Sequence, residues 1–288
     1  EREVAEEMLI NADPNLWAET YLNDIDKPNV PLILREYQKE INRDCNSIAL
    51  RWSRGLGKTM SLSIRLLWET ITEPDLTCAV FAPRIKHIDD IFGYVEKLTR
   101  RSEYIKSRIL DPKKAKEFGD TNSKIPKIYF ANGSKIEFYH TQSKVAREQV
   151  RGTRAQKLFF DEAVLIDPEF FTAVSGLISS RGNAPFIWMQ STPERKGDRF
   201  YDFCQQADIH LHKRCYDDPS WNDEKEKAAR LLAPDDISFA REFEAKFVDD
   251  NWYAFPEAGL DSSLRLAEQV NGKLNYQQKN YLSVEEIK

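Results

Sequence analysis

A lysine and a threonine stand side by side after a glycine in the stretch "SRGLGKT". Gly57, Lys58 and Thr59 supply what a phosphate-binding loop needs: a backbone that can approach an anion closely, a positive charge, and a hydroxyl ligand for magnesium. The usual pattern, G-x-x-x-x-G-K-[ST], has its first glycine where this chain has Trp52. A strand that ended at Trp52 would make that loss tolerable, and Gly55 keeps the loop flexible. By itself the triplet is explained equally well by the start of a surface helix.

An apolar, strand-like run, "KLFF", leads directly into two acids, Asp161 and Glu162. An acid at a strand end can hold magnesium through its water shell, and a second acid beside it can polarise an attacking water. Acids in the first turn of a helix are a common alternative for the pair taken alone. Together with the upstream strand, loop, lysine and helix, however, the pair is far more specific. The combination predicts an ATP-hydrolysing P-loop fold that uses ATP and Mg²⁺.

Three further stretches could contribute to such a site. Gln38, in "VPLILREYQKEIN", could read the edge of an adenine, although an ordinary amphipathic helix explains that stretch equally well. Ser191 and Thr192 follow the apolar run "PFIWMQ", where a hydroxyl could sense a γ-phosphate; a simple turn before proline is the alternative. The basic run "SKVAREQVRGTRAQK" could be a solvated face, an arginine finger or a DNA contact.

The elements that must position these residues alternate along the chain. The strand-like runs "SIALRW", "TCAVFAP", "QKLFFDEA", "PFIWMQSTP" and "DIHLHKRCY" are interspersed with helical patterns, and "KIYFANGSKIEFYH" has the alternation and Asn-Gly turn of a hairpin. This order predicts an α/β fold with a mainly parallel sheet and helices on both faces. Ligands of such sheets bind at the carboxyl ends of the strands, which is where the candidate catalytic residues fall.

Composition and sequence pattern also indicate how the chain is organised. We expect an N-terminal helical segment over residues 1–30, a P-loop ATPase core over 31–220, and a helical subdomain and linker over 221–288. Pro234 with Asp235 indicates a helix start in the last region. The formal net charge of −5 means that any nucleic-acid contact must be local. No apolar run of about 18 residues occurs, so no transmembrane helix is expected.

Four cysteines are too sparse for a disulfide framework in 288 residues and indicate a reducing cytosol. Cys204 and Cys215 lie near His210 and His212, and all four are zinc-ligand types. Their spacing lacks a C-x₂-C pair, and alternation puts both histidines on one face of a strand. We therefore expect strand residues here rather than a metal site.

Four stretches, "LREYQ", "SRGLGKT", "VRGTRAQKLFFDEA" and "STP", resemble the ATPase domain of the large terminases of tailed bacteriophages, the motors that package double-stranded DNA into procapsids. The resemblance extends from about Pro31 to about Pro256. The Arg-Gly pair at Arg151 and Gly152 and an arginine inside the loop are typical of that family, whose loop tolerates loss of the first glycine. The resemblance implies the additional-strand, catalytic-glutamate type of P-loop fold, with a small helical and linker region at the C-terminal end.

The resemblance implies which side chains would meet the nucleotide. Gln38 would contact adenine. The remaining nucleotide-binding residues would be those of the loop, namely Ser53, Arg54, Gly55, Gly57, Lys58 and Thr59. Arg54 would contact the γ-phosphate in cis, and Arg151 would reach the nucleotide of a neighbouring subunit.

It also implies roles around the metal and the moving parts. Thr59 and Asp161 would hold magnesium, and Glu162 would activate the attacking water. Ser191 and Thr192 would couple hydrolysis to movement. The implied partners are double-stranded DNA, a portal protein, a small terminase subunit and further copies of the chain in a ring on the portal. The implied location is the host cytoplasm during virion assembly, without a membrane partner.

The chain also departs from the family pattern. Large terminases usually carry a nuclease domain with a cluster of acids, and nothing after "FVDDNWYAFPEAGLD" has room for one. We therefore expect an isolated motor domain without nuclease activity. The acidic net charge predicts that a single copy does not bind DNA strongly, because such binding needs several cationic contacts to phosphates.

Two alternatives stay open. A superfamily 2 helicase-like translocase shares the glutamine, loop and acid pair, but here Ala163 and Val164 follow the acids in place of Asp or His, and no second motor domain follows. A nucleotide-gated binding module would never turn over. Glu162 beside Asp161 counts against that module, because binding alone needs only the magnesium acid.

Overall fold

The computed structural model of the chain describes residues 2–27, 29–41, 45–110, 126–142, 148, 150, 154–176 and 185–248. The chain divides into two compact units, Glu1–Phe247 and Val248–Lys288, and of the second only Val248 is described. The elements below all belong to the first unit. The three regions expected from the sequence remain a prediction.

A seven-stranded sheet in the order β3-β4-β2-β5-β6-β1-β7 forms the centre of this unit, counted over the described residues. Its strands are β1 (Ser47–Trp52), β2 (Thr77–Ala82), β3 (Lys127–Tyr129), β4 (Lys135–His140), β5 (Lys157–Phe160), β6 (Phe186–Ser191) and β7 (Ile209–Lys213). Neighbouring strands are parallel except β3 and β4, which pair antiparallel as the predicted hairpin. The predicted mainly parallel sheet is therefore confirmed.

Helices precede the sheet, connect its strands and follow its last strand. They are α1 (Arg2–Ala12), α2 (Pro14–Tyr21), α3 (Glu36–Lys39), α4 (Lys58–Thr72), α5 (Ile85–Arg100), α6 (Glu103–Lys106), α7 (Pro168–Ser175), α8 (Arg199–Gln206), α9 (Asp223–Leu232) and α10 (Asp236–Phe243). Helix α5 buries an apolar stripe that recurs every three or four residues: Ile88, Ile91, Val95 and Leu98. Helix α10 begins where the sequence pattern predicted. The carboxylate of its N-cap residue, Asp235, accepts a hydrogen bond from the backbone N–H of Ser238.

Two apolar cores cover opposite faces of the sheet. Along β2, Val80 belongs to one core and Phe81 to the other, because successive side chains of a strand point to opposite faces. Residues of α4 and α5 complete the first core, and residues of α7 and α8 complete the second. Every position of β2 is buried, which is typical of a strand covered on both sides. The predicted helices on both faces are thus confirmed.

Strand β6 lies between β1 and β5, the strands that lead into the phosphate-loop stretch and the acid pair. This inserted strand is the feature that the term additional-strand describes. All three strands are parallel, so their carboxyl ends meet at one edge of the sheet. The loop after Trp52, the acids after Phe160 and the hydroxyl residues after Gln190 therefore share that edge. No helix among the described residues is long and apolar enough to cross a membrane.

Candidate nucleotide-binding site

The loop between β1 and α4 has the backbone that close approach to an anion requires. Strand β1 ends at Trp52, as the loop pattern predicted, and α4 begins at Lys58. Gly55 and Gly57 have φ values of 78° and 82°, a left-handed conformation that costs glycine little. A Cβ on Gly57 would also lie 3.0 Å from Nε2 of Gln38. The backbone conformation therefore favours glycine at position 57, and a side chain there would also press against the amide of Gln38.

The start of α4 leaves polar groups available to a ligand. No side chain of the described residues caps this helix, so the N–H groups of its first turn lack side-chain acceptors. The buried hydroxyl of Ser53 has no hydrogen-bond partner among the described residues. Thr59, the second residue of α4, is half-buried. An uncapped helix N-terminus and an unsatisfied hydroxyl in a glycine loop fit a phosphate group.

Lys58 is buried, with 7% of the residue exposed. Its ammonium donates to the carbonyl oxygens of Trp52 at 3.0 Å and Ser53 at 3.2 Å, and to Oγ1 of Thr192 at 3.1 Å. Burial lowers the pKa of Lys58, although the nearby charges of the acid pair act in the opposite direction. An anionic ligand would add to the groups that keep this ammonium charged.

The tryptophan that replaces the first loop glycine is part of the core. Trp52 is fully buried, and its ring meets that of Tyr37 edge to face, with centroids 5.2 Å apart. The hydroxyl of Tyr37 donates to the carbonyl of Leu56, 3.2 Å away in the loop itself. Trp52 therefore supports the loop indirectly, because it packs against Tyr37, which in turn bonds to the loop backbone.

Gln38 lies against the loop rather than free in solvent. Its Oε1 accepts a hydrogen bond from the backbone N–H of Arg35 at 3.0 Å, and its Nε2 donates to Oγ of Ser61 in α4 at 3.3 Å. Only 5% of the residue is exposed. Its contact with adenine remains a prediction, and its observed contacts fix α3 against the start of α4.

Arg54 contacts Glu242 of α10 through both its side chain and its backbone. Its Nε lies 2.5 Å from Oε2 of Glu242, and its backbone N–H donates to the carbonyl of the same residue at 3.0 Å. The side chain of Arg54 is 74% exposed. Ion pairs this exposed contribute little to stability, so the guanidinium can leave Glu242 at small cost.

Asp161 is buried at the end of β5. Its backbone N–H continues the sheet by donating to Phe81 O at 2.9 Å, and its Oδ1 accepts from Nε2 of Gln190 at 2.7 Å. Burial first, and then the charge of Glu162, raise the pKa of Asp161 to about 7. A buried carboxylate gains from a cation, and the oxygen donors of Asp161 and Thr59 are of the kind that Mg²⁺ prefers.

Glu162 has an unusual backbone. Its φ of 46° and ψ of 48° are left-handed, a conformation that costs a residue with a Cβ about 1–2 kcal/mol. Its Oε2 lies 3.4 Å from Oγ of Ser191. Strained residues persist where the surrounding structure enforces them, and such positions concentrate at active sites.

Three consecutive residues at the end of β6 each contact a different charged group of the site. Gln190 contacts Asp161, Ser191 contacts Glu162, and Thr192 contacts Lys58. The sequence pattern indicates the two hydroxyl residues as candidates but does not indicate Gln190. The available signal was an amide within a strand run that is otherwise almost entirely apolar.

The remaining candidates from the sequence are the arginines of the basic run and the two cysteines near His210 and His212. Arg151 and Gly152 lie outside the described residues, so the proposed arginine finger stays a prediction. Arg154 is described and exposed. Cys204 and Cys215 are buried, and among the described residues no three His, Cys, Asp or Glu side chains are grouped to hold a metal ion.

The sequence profile of the family described as terminase large subunit, T4-like-virus type, N-terminal, matches residues 50–209. No individual curated protein matches the chain. Similar solved structures include the large terminase of the thermophilic bacteriophage D6E, with 17% identity and a TM-score of 0.60 over 75% of this chain and 54% of that one. A complex of the D6E protein with ADP matches similarly, with 17% identity and a TM-score of 0.59 over the same shares.

Two further structures show the same fold. The large terminase ATPase domain of Thermus phage P74-26 matches with 21% identity and a TM-score of 0.58, over 75% of this chain and 94% of that domain. The bacteriophage HK97 large terminase matches with 13% identity and a TM-score of 0.66, over 82% of this chain and 55% of that one. The chain thus spans about half the length of the D6E and HK97 proteins.

Structural matches at such low sequence identity establish the fold alone, and that fold is an α/β P-loop NTPase fold. The family profile covers more than half of the 288 residues and includes the loop, the acid pair and the end of β6. The chain therefore belongs to the family of terminase large subunits of the T4-like-virus type and matches its N-terminal region.

Proposed function

We propose that this chain hydrolyses ATP with Mg²⁺ and uses the free energy to move double-stranded DNA into a viral procapsid. The observation that carries the proposal is the gathering of Lys58, the acid pair and the end of β6 at one edge of the sheet. Phosphate binding, water activation and a moving segment would meet there. The D6E large terminase, which has this fold, has been solved with ADP.

The phosphates would lie over the loop, bonded by the N–H groups that begin α4 and by the ammonium of Lys58. Thr59 and Asp161 would hold Mg²⁺, which neutralises charge on the phosphate oxygens when bound. Glu162 would accept the proton of the attacking water. Arg54 would leave Glu242 and stabilise charge at the γ-phosphate.

A phosphate at the loop would compete with Thr192 for Lys58. The ammonium already donates three hydrogen bonds, which is the number of its protons, so a new acceptor must displace an old one. Of the three acceptors, the side-chain hydroxyl of Thr192 is the one that can move without unfolding the loop. Nucleotide binding would thereby release the segment after β6, which leads to α8.

The finer parts of the proposal concern partners. Copies of the chain would form a ring on a portal protein, assisted by a small terminase subunit, in the host cytoplasm during virion assembly. Arg151 would complete the site of a neighbouring copy. Family membership supports these partners.

Replacing Glu162 by Gln tests the core of the proposal. We expect Glu162→Gln to lower the rate of ATP hydrolysis by about 10²–10⁴-fold, the usual contribution of a general base, while nucleotide affinity stays near that of the wild type. The measurements are steady-state phosphate release and the dissociation constant of ATP.

Glu169→Gln is the matched control, because it removes an exposed carboxylate from the neighbouring helix α7. This variant should keep the wild-type rate. Wild-type turnover in Glu162→Gln would show that another group activates the water. A wild-type protein that binds ATP without hydrolysing it would favour the nucleotide-gated binding module.

A further inference from the structure

We propose that Gln190 is a positioning residue for the carboxylate of Asp161. The inference rests on the proposed function, since it concerns the acid expected to hold Mg²⁺. Gln190 is fully buried near the end of β6, where an uncompensated amide would be costly. Its two polar atoms are both engaged.

The chemistry of the partners fixes which way the amide points. An indole N–H only donates, so the atom of Gln190 that faces Trp188 must be the oxygen, here 3.0 Å from the indole nitrogen. The NH₂ group then faces Asp161, and it donates to Oδ1 at 2.7 Å. Trp188 and Gln190 are two positions apart on the same strand and therefore lie on the same face of the sheet.

The register of the sheet makes the contact possible. Phe160 on β5 pairs with Met189 on β6, so the next position along the parallel ladder sets Asp161 beside Gln190. The contact therefore depends on β6 being inserted next to β5. Replacing that neighbour by another strand would remove the amide from the carboxylate.

A neutral donor suits a carboxylate that must also bind a cation. The amide holds Oδ1 and so restricts rotation of the carboxylate of Asp161. A lysine or arginine at position 190 would pair with the acid and repel Mg²⁺. Outer partners of metal ligands usually act in this way, and their loss typically lowers metal affinity or activity 10–100-fold.

Gln190→Met tests the inference, because methionine keeps approximately the length of the side chain but cannot donate. The readouts are the dissociation constants of ADP with and without Mg²⁺, and the Mg²⁺ concentration that half-saturates ATP hydrolysis. We expect metal-free ADP binding to stay unchanged and the half-saturating Mg²⁺ concentration to rise about 10-fold or more. Gln190→Leu, which also removes the donor and adds no charge, should act in the same direction.

Trp188→Phe is the matched control. It removes the indole donor and core volume but leaves the Gln190 amide able to donate to Asp161, so it should lower the melting temperature with little change in Mg²⁺ dependence. Unchanged Mg²⁺ dependence in Gln190→Met would overturn the inference, as would an equal loss of ADP binding with and without metal. Gln190→Leu decides by the same criteria if Gln190→Met does not fold, as judged by circular dichroism.

The failure of the two proposals can be distinguished. Absence of hydrolysis by the wild type would contradict the proposed function, and the ADP binding measurements would still test the contact between Gln190 and Asp161. Hydrolysis by the wild type together with wild-type metal dependence in the Gln190 variants would overturn the inference alone.

Discussion

Single residues of the loop are constrained by backbone conformation more than by side-chain chemistry. Gly57 combines a left-handed φ of 82° with a neighbour 3.0 Å from the place a Cβ would occupy. Gly93, in the interior of α5, has neither constraint, because nothing lies within 4 Å of its would-be Cβ. The two glycines therefore make a matched pair for testing the loop.

We expect Gly57→Ala to lower the free energy of unfolding by about 1–2 kcal/mol and to weaken ATP binding, because the left-handed conformation is strained for alanine. Gly93→Ala should raise the free energy of unfolding by about 0.5–1 kcal/mol, since alanine is the better helix former. Urea denaturation of both variants provides the measurement. A Gly57→Ala protein as stable as Gly93→Ala would contradict the constraint argued for the loop.

The residues predicted from sequence were those whose roles follow from local spacing. The Gly-Lys-Thr triplet indicates Lys58, and the apolar run before Asp161 and Glu162 indicates that pair. Gln190 was missed because its role depends on which strand neighbours β6, which no local pattern contains. The pairing of Arg54 with Glu242 was missed for the same reason, since 188 positions separate the two residues.

At the scale of elements, a buried charge network joins α4 to β5. The carboxylate of Glu69 is 2% exposed and lies 2.8 Å from Nε of Arg65 and 3.0 Å from Nζ of Lys157. Glu73, which directly follows the last residue of α4, lies 3.4 Å from the same lysine but is 51% exposed. The helix that begins in the phosphate loop is thus tied electrostatically to the strand that ends in the acid pair.

We expect Glu69→Gln to lower the free energy of unfolding by about 3–5 kcal/mol, because it leaves two largely buried cations without their shared carboxylate. Glu73→Gln is the control and should cost less than about 1 kcal/mol, as exposed pairs do. Equal losses in the two variants, measured by urea denaturation, would show that burial does not decide the strength of this network.

Element positions were largely predictable, and element neighbours were less so. The helical pattern that follows the Gly-Lys-Thr triplet corresponds to α4, Lys58–Thr72, because its apolar spacing reflects burial against the sheet. The five predicted single strands and the hairpin are all present among the described residues. The place of β6 between β1 and β5 depends on connections across the whole sheet, and only the family resemblance indicated it.

At the scale of the whole molecule, the proposed ring predicts that activity depends on concentration. We expect ATP hydrolysis per subunit to rise with protein concentration, because Arg151 of one copy would complete the site of the next. Arg151→Ala should stay low at every concentration, since an arginine supplied in trans contributes about 10³–10⁵-fold to the rate of phosphoryl transfer.

Arg154→Ala is the control for that experiment, because it removes an exposed arginine from the same basic run. It should follow the wild-type curve. A rate per subunit that is independent of protein concentration and unchanged in Arg151→Ala would instead indicate that each copy has a complete site, with Arg54 as the catalytic arginine in cis.

Trp52 has a consequence for how such chains diverge. Its side chain fills the core and contacts the ring of Tyr37, so the residue at this position serves packing rather than contact with a phosphate. Substitutions at position 52 are therefore expected to be accompanied by compensating changes at position 37 during evolution. A sequence search that requires a glycine at the start of the loop would miss chains with a large residue at position 52. The strand end and the two later glycines would still identify the loop in those chains.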